Sequence, residues 1–143
     1  MRNKVFMVAA EDRQQEFLQD KEQAFILWFE DVGIADVSLV GGKNASLGEM
    51  IQQLTPIGIN VPDGFASTAY AYRYFIQQAG LESKLRQLFA DLDVEDVSNL
   101  RSRGKQARAL ILNTAFPQEL ETAITQAYSK LCQQYSLDFK YCE

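Results

Sequence analysis

Apolar positions along this chain recur mainly with helical spacing, broken by a few short runs that read as strands. Residues 11–23 (EDRQQEFLQDKEQ) are almost entirely polar and form a solvated helix or a loose N-terminal arm. The next six residues, Ala24–Phe29, are apolar or aromatic and suit a strand buried on both faces, although period alone does not separate this from a helix segment. Val32–Val40 reads as a loop with a short helical turn, ending at the doublet Gly41-Gly42. Leu47, Met50, Ile51 and Leu54 then fall at i, i+3, i+4 and i+7, one apolar stripe of a helix that Pro56 and Gly58 terminate. After Val61–Phe65, a turn feeding an extended segment, Thr68 is placed to cap a helix with Tyr72, Phe75, Ile76 and Ala79 on its core face and Gly80 at its end.

Three further stripes follow. Leu81, Leu85, Leu88, Phe89 and Leu92 make one. Val97, Leu100, Ala107 and Ile111 make the next, with Asp93 as its cap, Asp96 in its first turn and Gly104 interrupting it. Pro117 occupies a first helical position, and Leu120, Ile124, Ala127, Tyr128 and Leu131 complete the set. From Ser136 the pattern switches to alternation, with Leu137, Phe139 and Tyr141 against Asp138 and Lys140, the opening of a strand. The expected fold is α+β and mostly helical, with two or three short strands. A lone strand pair is marginal in water, so the pattern describes part of a larger unit.

Composition narrows the chemistry. With 143 residues, 47% of them hydrophobic and 23% charged, the chain is one soluble domain or a piece of one. Its 14 Lys and Arg against 19 Asp and Glu leave a net charge of −5, unsuited to a nucleic-acid backbone. The small basic stretch Arg101, Arg103, Lys105 and Arg108 reads as a solvated helix face. There is no histidine, which excludes Ser-His and Cys-His pairs, His-containing zinc sites and a phosphohistidine within these residues. Cys132 and Cys142 form neither a CxxC motif nor a disulfide framework, as expected for thiols in a reducing compartment. The apolar run Val5–Ala10 is six residues long and meets Glu11 and Asp12 at once, too short for a signal peptide; no run approaches a membrane span. A cytoplasmic location is expected, with no membrane or nucleic-acid partner.

One segment has the outline of an anion site. Gly41-Gly42-Lys43-Asn44 lies between an apolar segment and an amphipathic helix. Glycines allow close backbone approach, the first helical amides and the helix dipole favour negative charge, and Lys43 adds a mobile cation. It is not a Walker A loop, which needs Gly at 37 and Ser or Thr at 44, where this chain has Val37 and Asn44. From these residues alone, a phosphate site and a plain turn with a solvated lysine both remain open. Tyr70, Tyr72, Tyr74 and Phe75 are better explained by helix packing than by base stacking, and Glu49 by a helix-surface carboxylate than by acid–base chemistry.

The run GGKNASLGEM (Gly41–Met50), preceded by LWFEDVG (Leu27–Gly33) and followed by VPDGFAST (Val61–Thr68), closely resembles the opening of the phosphoenolpyruvate synthases, the pyruvate, water dikinases. Pyruvate phosphate dikinases and rifampicin phosphotransferases share a looser form. The resemblance spans about Ala24 to Leu131 and leaves residues 1–23 without a counterpart. It implies that 24–143 is the first, incomplete part of an ATP-grasp-type nucleotide-binding domain. In the family, ATP phosphorylates a histidine on a swivelling domain and then pyruvate, with Mg²⁺, giving phosphoenolpyruvate, AMP and phosphate. The lysine of the GGK segment contacts ATP phosphates, a role that maps onto Lys43, with Gly41 and Gly42 beside it. A VRSSAT-type segment that also grips the nucleotide is replaced by Leu137–Glu143, and the Mg²⁺ ligands, phosphohistidine and pyruvate site lie beyond this stretch in the family. The expected partners are ATP and either the remainder of the enzyme or a full-length homologue. The alternative is a truncated, non-catalytic paralogue that acts as an interaction module.

Overall fold

The computed structural model describes residues 21–136, which divide into two compact units: residues 21–71 with 123–136, and Tyr72–Thr122. The expected strand over 136–143, all but Ser136, and Cys142 lie outside the described residues, as does most of the polar arm. Lys21, at the arm's end, is nevertheless engaged. Its Nζ donates to the Asp31 carbonyl at 2.6 Å and pairs with Asp36 Oδ2 at 3.2 Å, both side chains only 13% exposed.

The first unit is built on two short strands, β1 (Ile26–Trp28) and β2 (Phe65–Ser67), paired antiparallel with Leu27 opposite Ala66. The pairing extends past both ends. Phe29 N–H donates to the Gly64 carbonyl at 2.9 Å, and Thr68 N–H to that of Phe25 at 3.0 Å. The strand reading of Ala24–Phe29 is correct, but burial on both faces is not. Leu27 is buried, with Ala66, Val32, Val40 and Ala45, while Ile26 and Trp28 are half-buried. A two-stranded pair covers one face with a core and leaves the other to whichever side chains reach it. On that second face Trp28 meets Phe65 edge-on at 5.6 Å, and Lys130 Nζ sits 4.4 Å over the indole, a cation–π contact.

Helix α1 (Val37–Leu54) follows two single 3₁₀ turns, Phe29–Asp31 and Ile34–Asp36. Its buried positions are Val40, Ala45 and Gly48, whereas Met50 of the expected stripe is 45% exposed. Small residues win because the chain at Phe29–Val32 lies directly on the helix: a Cβ on Gly48 would stand 2.7 Å from the Phe29 carbonyl oxygen and closer still to that of Val32. A 3₁₀ turn through Pro56 and a left-handed Gly58 (φ 83°) end the helix as expected.

Thr68 caps α2 (Ala69–Gln78) as the sequence implies: its Oγ1 accepts from Ala71 N–H at 3.0 Å and donates to the Ala24 carbonyl at 2.5 Å. Phe75 is buried, but Tyr72 is 57% exposed and Ala71 takes the inner position. Tyr70 stacks on Phe25 at 5.6 Å, which supports packing over base recognition. In the second unit, Gly80 (φ 61°) separates α2 from α3 (Leu81–Leu88), whose Leu81 is 1% exposed. Helix α4 (Val97–Leu112) is capped by Asp96 rather than Asp93: Asp96 Oδ1 accepts from Ser98 and Asn99 N–H at 2.8 and 3.2 Å, while Asp93 closes only a local turn onto Glu95. Of its stripe, Ala107 is buried but Val97 is 68% exposed. Helix α5 spans Gln118–Gln134, with Pro117 just before it and Leu120, Ala127 and Cys132 buried. Among the described residues no helix is long and apolar enough to cross a membrane.

Candidate functional site

Gly41 breaks helix α1. Its backbone sits at φ 79°, ψ 158°, a region essentially closed to residues with a Cβ, so the helical turn of 37–40 stops and a second helical segment begins at Gly42. The sequence reading placed a helix start at the glycine doublet, and a helix start is what the break creates. The first amides of the new segment, those of Gly42, Lys43 and Asn44, lie at the positive end of its dipole. Asn44 Nδ2 donates to the Val40 carbonyl at 2.8 Å and ties the two segments across the break.

The surface there is open. Gly41, Gly42 and Lys43 are exposed, and Cβ atoms added to either glycine would meet nothing within 4 Å. Among the described residues Lys43 has no ion-pair partner. Directly beneath, Ala45 is fully buried in the core beside Val40, which anchors the segment while its polar edge stays in solvent. The arrangement supplies helix-start amides, steric access and a cation.

Mg²⁺ does not fit these donors. Among the described residues no group of three or more His, Cys, Asp or Glu side chains converges. Glu49, on the same helix as Lys43, is turned to Ile34 N–H, which donates to Oε2 at 3.3 Å, and to Gln53 Nε2 at 3.4 Å from Oε1. The basic stretch of α4 is no anion site either. Arg103 Nη2 donates to both carboxylate oxygens of Asp91, at 2.8 and 2.9 Å, in an open hollow of about 480 Å³ that both residues line, so the charge of this arginine is already paired.

The site rests on residues that the hydrophobic pattern does not single out. Gly48 lets the Phe29–Val32 backbone lie on the helix, and Gln52 Nε2 donates to the carbonyls of Glu30 and Val32 at 3.2 and 3.0 Å. Ala45 and Gly48, three apart, are a small-residue face visible in the sequence. The Gln52 contacts cross 20 and 22 positions and leave no local trace.

With this geometry in view, the comparisons with known proteins are specific. The chain belongs to the family described as the pyruvate phosphate dikinase AMP/ATP-binding domain, which matches residues 37–141 and so includes the Gly41 break, Lys43 and the face that supports them. The phosphoenolpyruvate synthase of Synechocystis sp. is 70% identical over 115 residues, covering 80% of this chain and 14% of that protein. The phosphoenolpyruvate synthase of Escherichia coli is 46% identical over 106 residues, covering 74% and 13%, and that of Aquifex aeolicus 44% identical over 116 residues, covering 81% and 14%. The chain thus spans about one seventh of the length of these relatives.

Proposed function

We propose that residues 24–143 are the opening part of the nucleotide-binding domain, of ATP-grasp type, of a phosphoenolpyruvate synthase. The enzyme as a whole converts ATP, pyruvate and water to phosphoenolpyruvate, AMP and phosphate, the gluconeogenic direction, in the cytoplasm. In this reading the amides that follow Gly41 and Gly42, together with the Lys43 ammonium, hold phosphate oxygens of ATP. The observation that carries it is the positive-φ break at Gly41, which starts a helix with an exposed lysine that has no ion-pair partner among the described residues, inside the segment that matches an ATP-binding family.

Binding is the whole of this chain's contribution. Helix-start amides donate to phosphate oxygens without needing a counter-residue, and Lys43 follows the phosphates on a flexible stem. Phosphoryl transfer needs a histidine acceptor, and the sequence has none. Mg²⁺, where the complete enzyme uses it, supplies charge neutralisation from ligands outside these residues. The 143-residue chain therefore binds ATP weakly and does not turn it over. Calorimetric titration with ATP tests this. Lys43→Ala removes one charge-assisted contact, so the dissociation constant should rise by about tenfold to a hundredfold. Affinity unchanged by Lys43→Ala would sink the site assignment.

A second reading, a non-catalytic module that docks on a partner chain such as a full-length homologue, has its own observation. Within the Tyr72–Thr122 unit, Leu112 and Val97 are 82% and 68% exposed, apolar side chains that a partner would cover. Size-exclusion chromatography with and without full-length synthase separates the two. Co-elution with retained weak ATP binding favours the module, and a monomer indifferent to the synthase removes it.

A further inference from the structure

The stretch Phe29–Asp36 leads into the glycine break and within itself closes two short turns, Val32 N–H to the Phe29 carbonyl at 3.3 Å and Asp36 N–H to that of Gly33 at 2.9 Å, the second doubled by Gly33 N–H to Asp36 Oδ2 at 3.0 Å. Lys21 Nζ holds the Asp31 carbonyl and Phe29 N–H donates to the Gly64 carbonyl, while the carbonyls of Glu30 and Val32 and the Ile34 N–H are met by one face of α1. Gln52 spends its amide nitrogen on two carbonyls, Glu30 at 3.2 Å and Val32 at 3.0 Å. A carboxamide NH₂ has two hydrogens, so this is its full donor capacity. Glu49 accepts from Ile34 N–H, and its second oxygen is steadied by Gln53. Gly48, one position earlier, provides the clearance.

The topology makes these contacts matter beyond the fold. Residues 30–34 are fastened to α1 at positions 49 and 52, and the chain then returns through 37–40 to the break that begins the same helix. Lys43 lies six residues before Glu49, roughly 9 Å along the axis. The fastened stretch and the helix start are therefore the two ends of one short closed loop, with Gly41 as its adjustable joint. The fastening bears on how the turn of 37–40 stands against the amides of 42–44 across the Gly41 break.

We infer that Glu49 and Gln52 are positioning residues for the Gly41–Lys43 segment and set its aim at the phosphates of a nucleotide, an inference that rests on the reading of that segment as the phosphate site. Neither side chain touches the ligand. Glu49 is half-exposed and Gln52 exposed, so their effect falls on aim more than on global stability.

A double-mutant cycle on the full chain tests this, with ATP as the titrant in calorimetry. Gln52→Ala should weaken ATP binding about fivefold to tenfold in the wild-type background and less than about twofold when Lys43 is already alanine. Equal losses in both backgrounds, or no loss in the first, overturn the inference. Glu49→Ala should weaken binding, while Glu49→Gln, which keeps an acceptor for Ile34 N–H, should restore it; failure of Gln to rescue counts against the inference. Hydrogen exchange gives a readout independent of ATP. The amides of 45–47, the first with helical acceptors after the break, should exchange faster in Gln52→Ala, with those of Phe65–Ser67 unchanged, and equal rates at 45–47 overturn it. Absence of ATP binding to the wild-type chain, or indifference to Lys43→Ala, defeats the phosphate-site reading itself and is seen before any Gln52 variant is made.

Discussion

Gly48 and Gly42 belong to the same helix, yet a methyl group would have opposite consequences at the two positions. At Gly48 it would collide with the carbonyl oxygens of Val32 and Phe29 and with the Val32 side chain, all of which are fixed by the core. Gly48→Ala should lower unfolding stability by about 3 kcal/mol, read from urea denaturation followed by circular dichroism. At Gly42 the added carbon meets nothing, and stability should stay within about 0.5 kcal/mol. Any ATP affinity lost by Gly42→Ala is then a loss of access rather than of fold. Gly41 is a third case, with open space around it but a backbone that alanine resists. Gly41→Ala should cost about 1–3 kcal/mol through backbone strain alone, seen in the same melts. The doublet was visible in the sequence. Which glycine was needed for its dihedral angles, and which for clearance, was not, because both depend on where other residues lie.

At the scale of elements, the caps decide where helices start. Thr68 reaches both ways, accepting from Ala71 N–H and donating to the Ala24 carbonyl, and so joins the start of α2 to the sheet. For α4, two aspartates three apart compete in the sequence, and the structure selects the one whose carboxylate reaches two orphan amides. Asp96→Ala should therefore cost about 1 kcal/mol in thermal unfolding, and Asp93→Ala less than about half of that. The apolar stripes correctly announced α1 through α5, but they overstated what each helix buries. Val97 fits its stripe and stands 68% exposed, whereas Leu81, at the start of another, is 1% exposed. Leu81→Ala should cost about 3 kcal/mol and Val97→Ser no more than about 0.5, a contrast that periodicity alone does not foresee.

For the whole molecule, the two compact units share out the features unevenly. The unit of 21–71 with 123–136 holds the sheet, the Gly41 break and Lys43, while Tyr72–Thr122 holds the helical remainder and much of the exposed apolar surface. The chain carries a net charge of −5, so on the proposed reading an anionic ligand would be drawn in by a local device rather than by the overall field. That device is a helix start with a lysine beside it. The sequence by itself determined the mostly helical class, the helices α1 to α5, the strand at Ala24–Phe29, the glycine–lysine segment and the family, since each depends on local periodicity or a contiguous motif. Tertiary structure alone decided that α1 buries Ala45 and Gly48 instead of Met50, and that Lys21 pairs with Asp36. It also decided that Glu49 and Gln52 grip residues 30–34. These contacts span 15 to 20 positions or more, and what they require is a partner's location in space, which no local pattern of apolar and polar residues encodes.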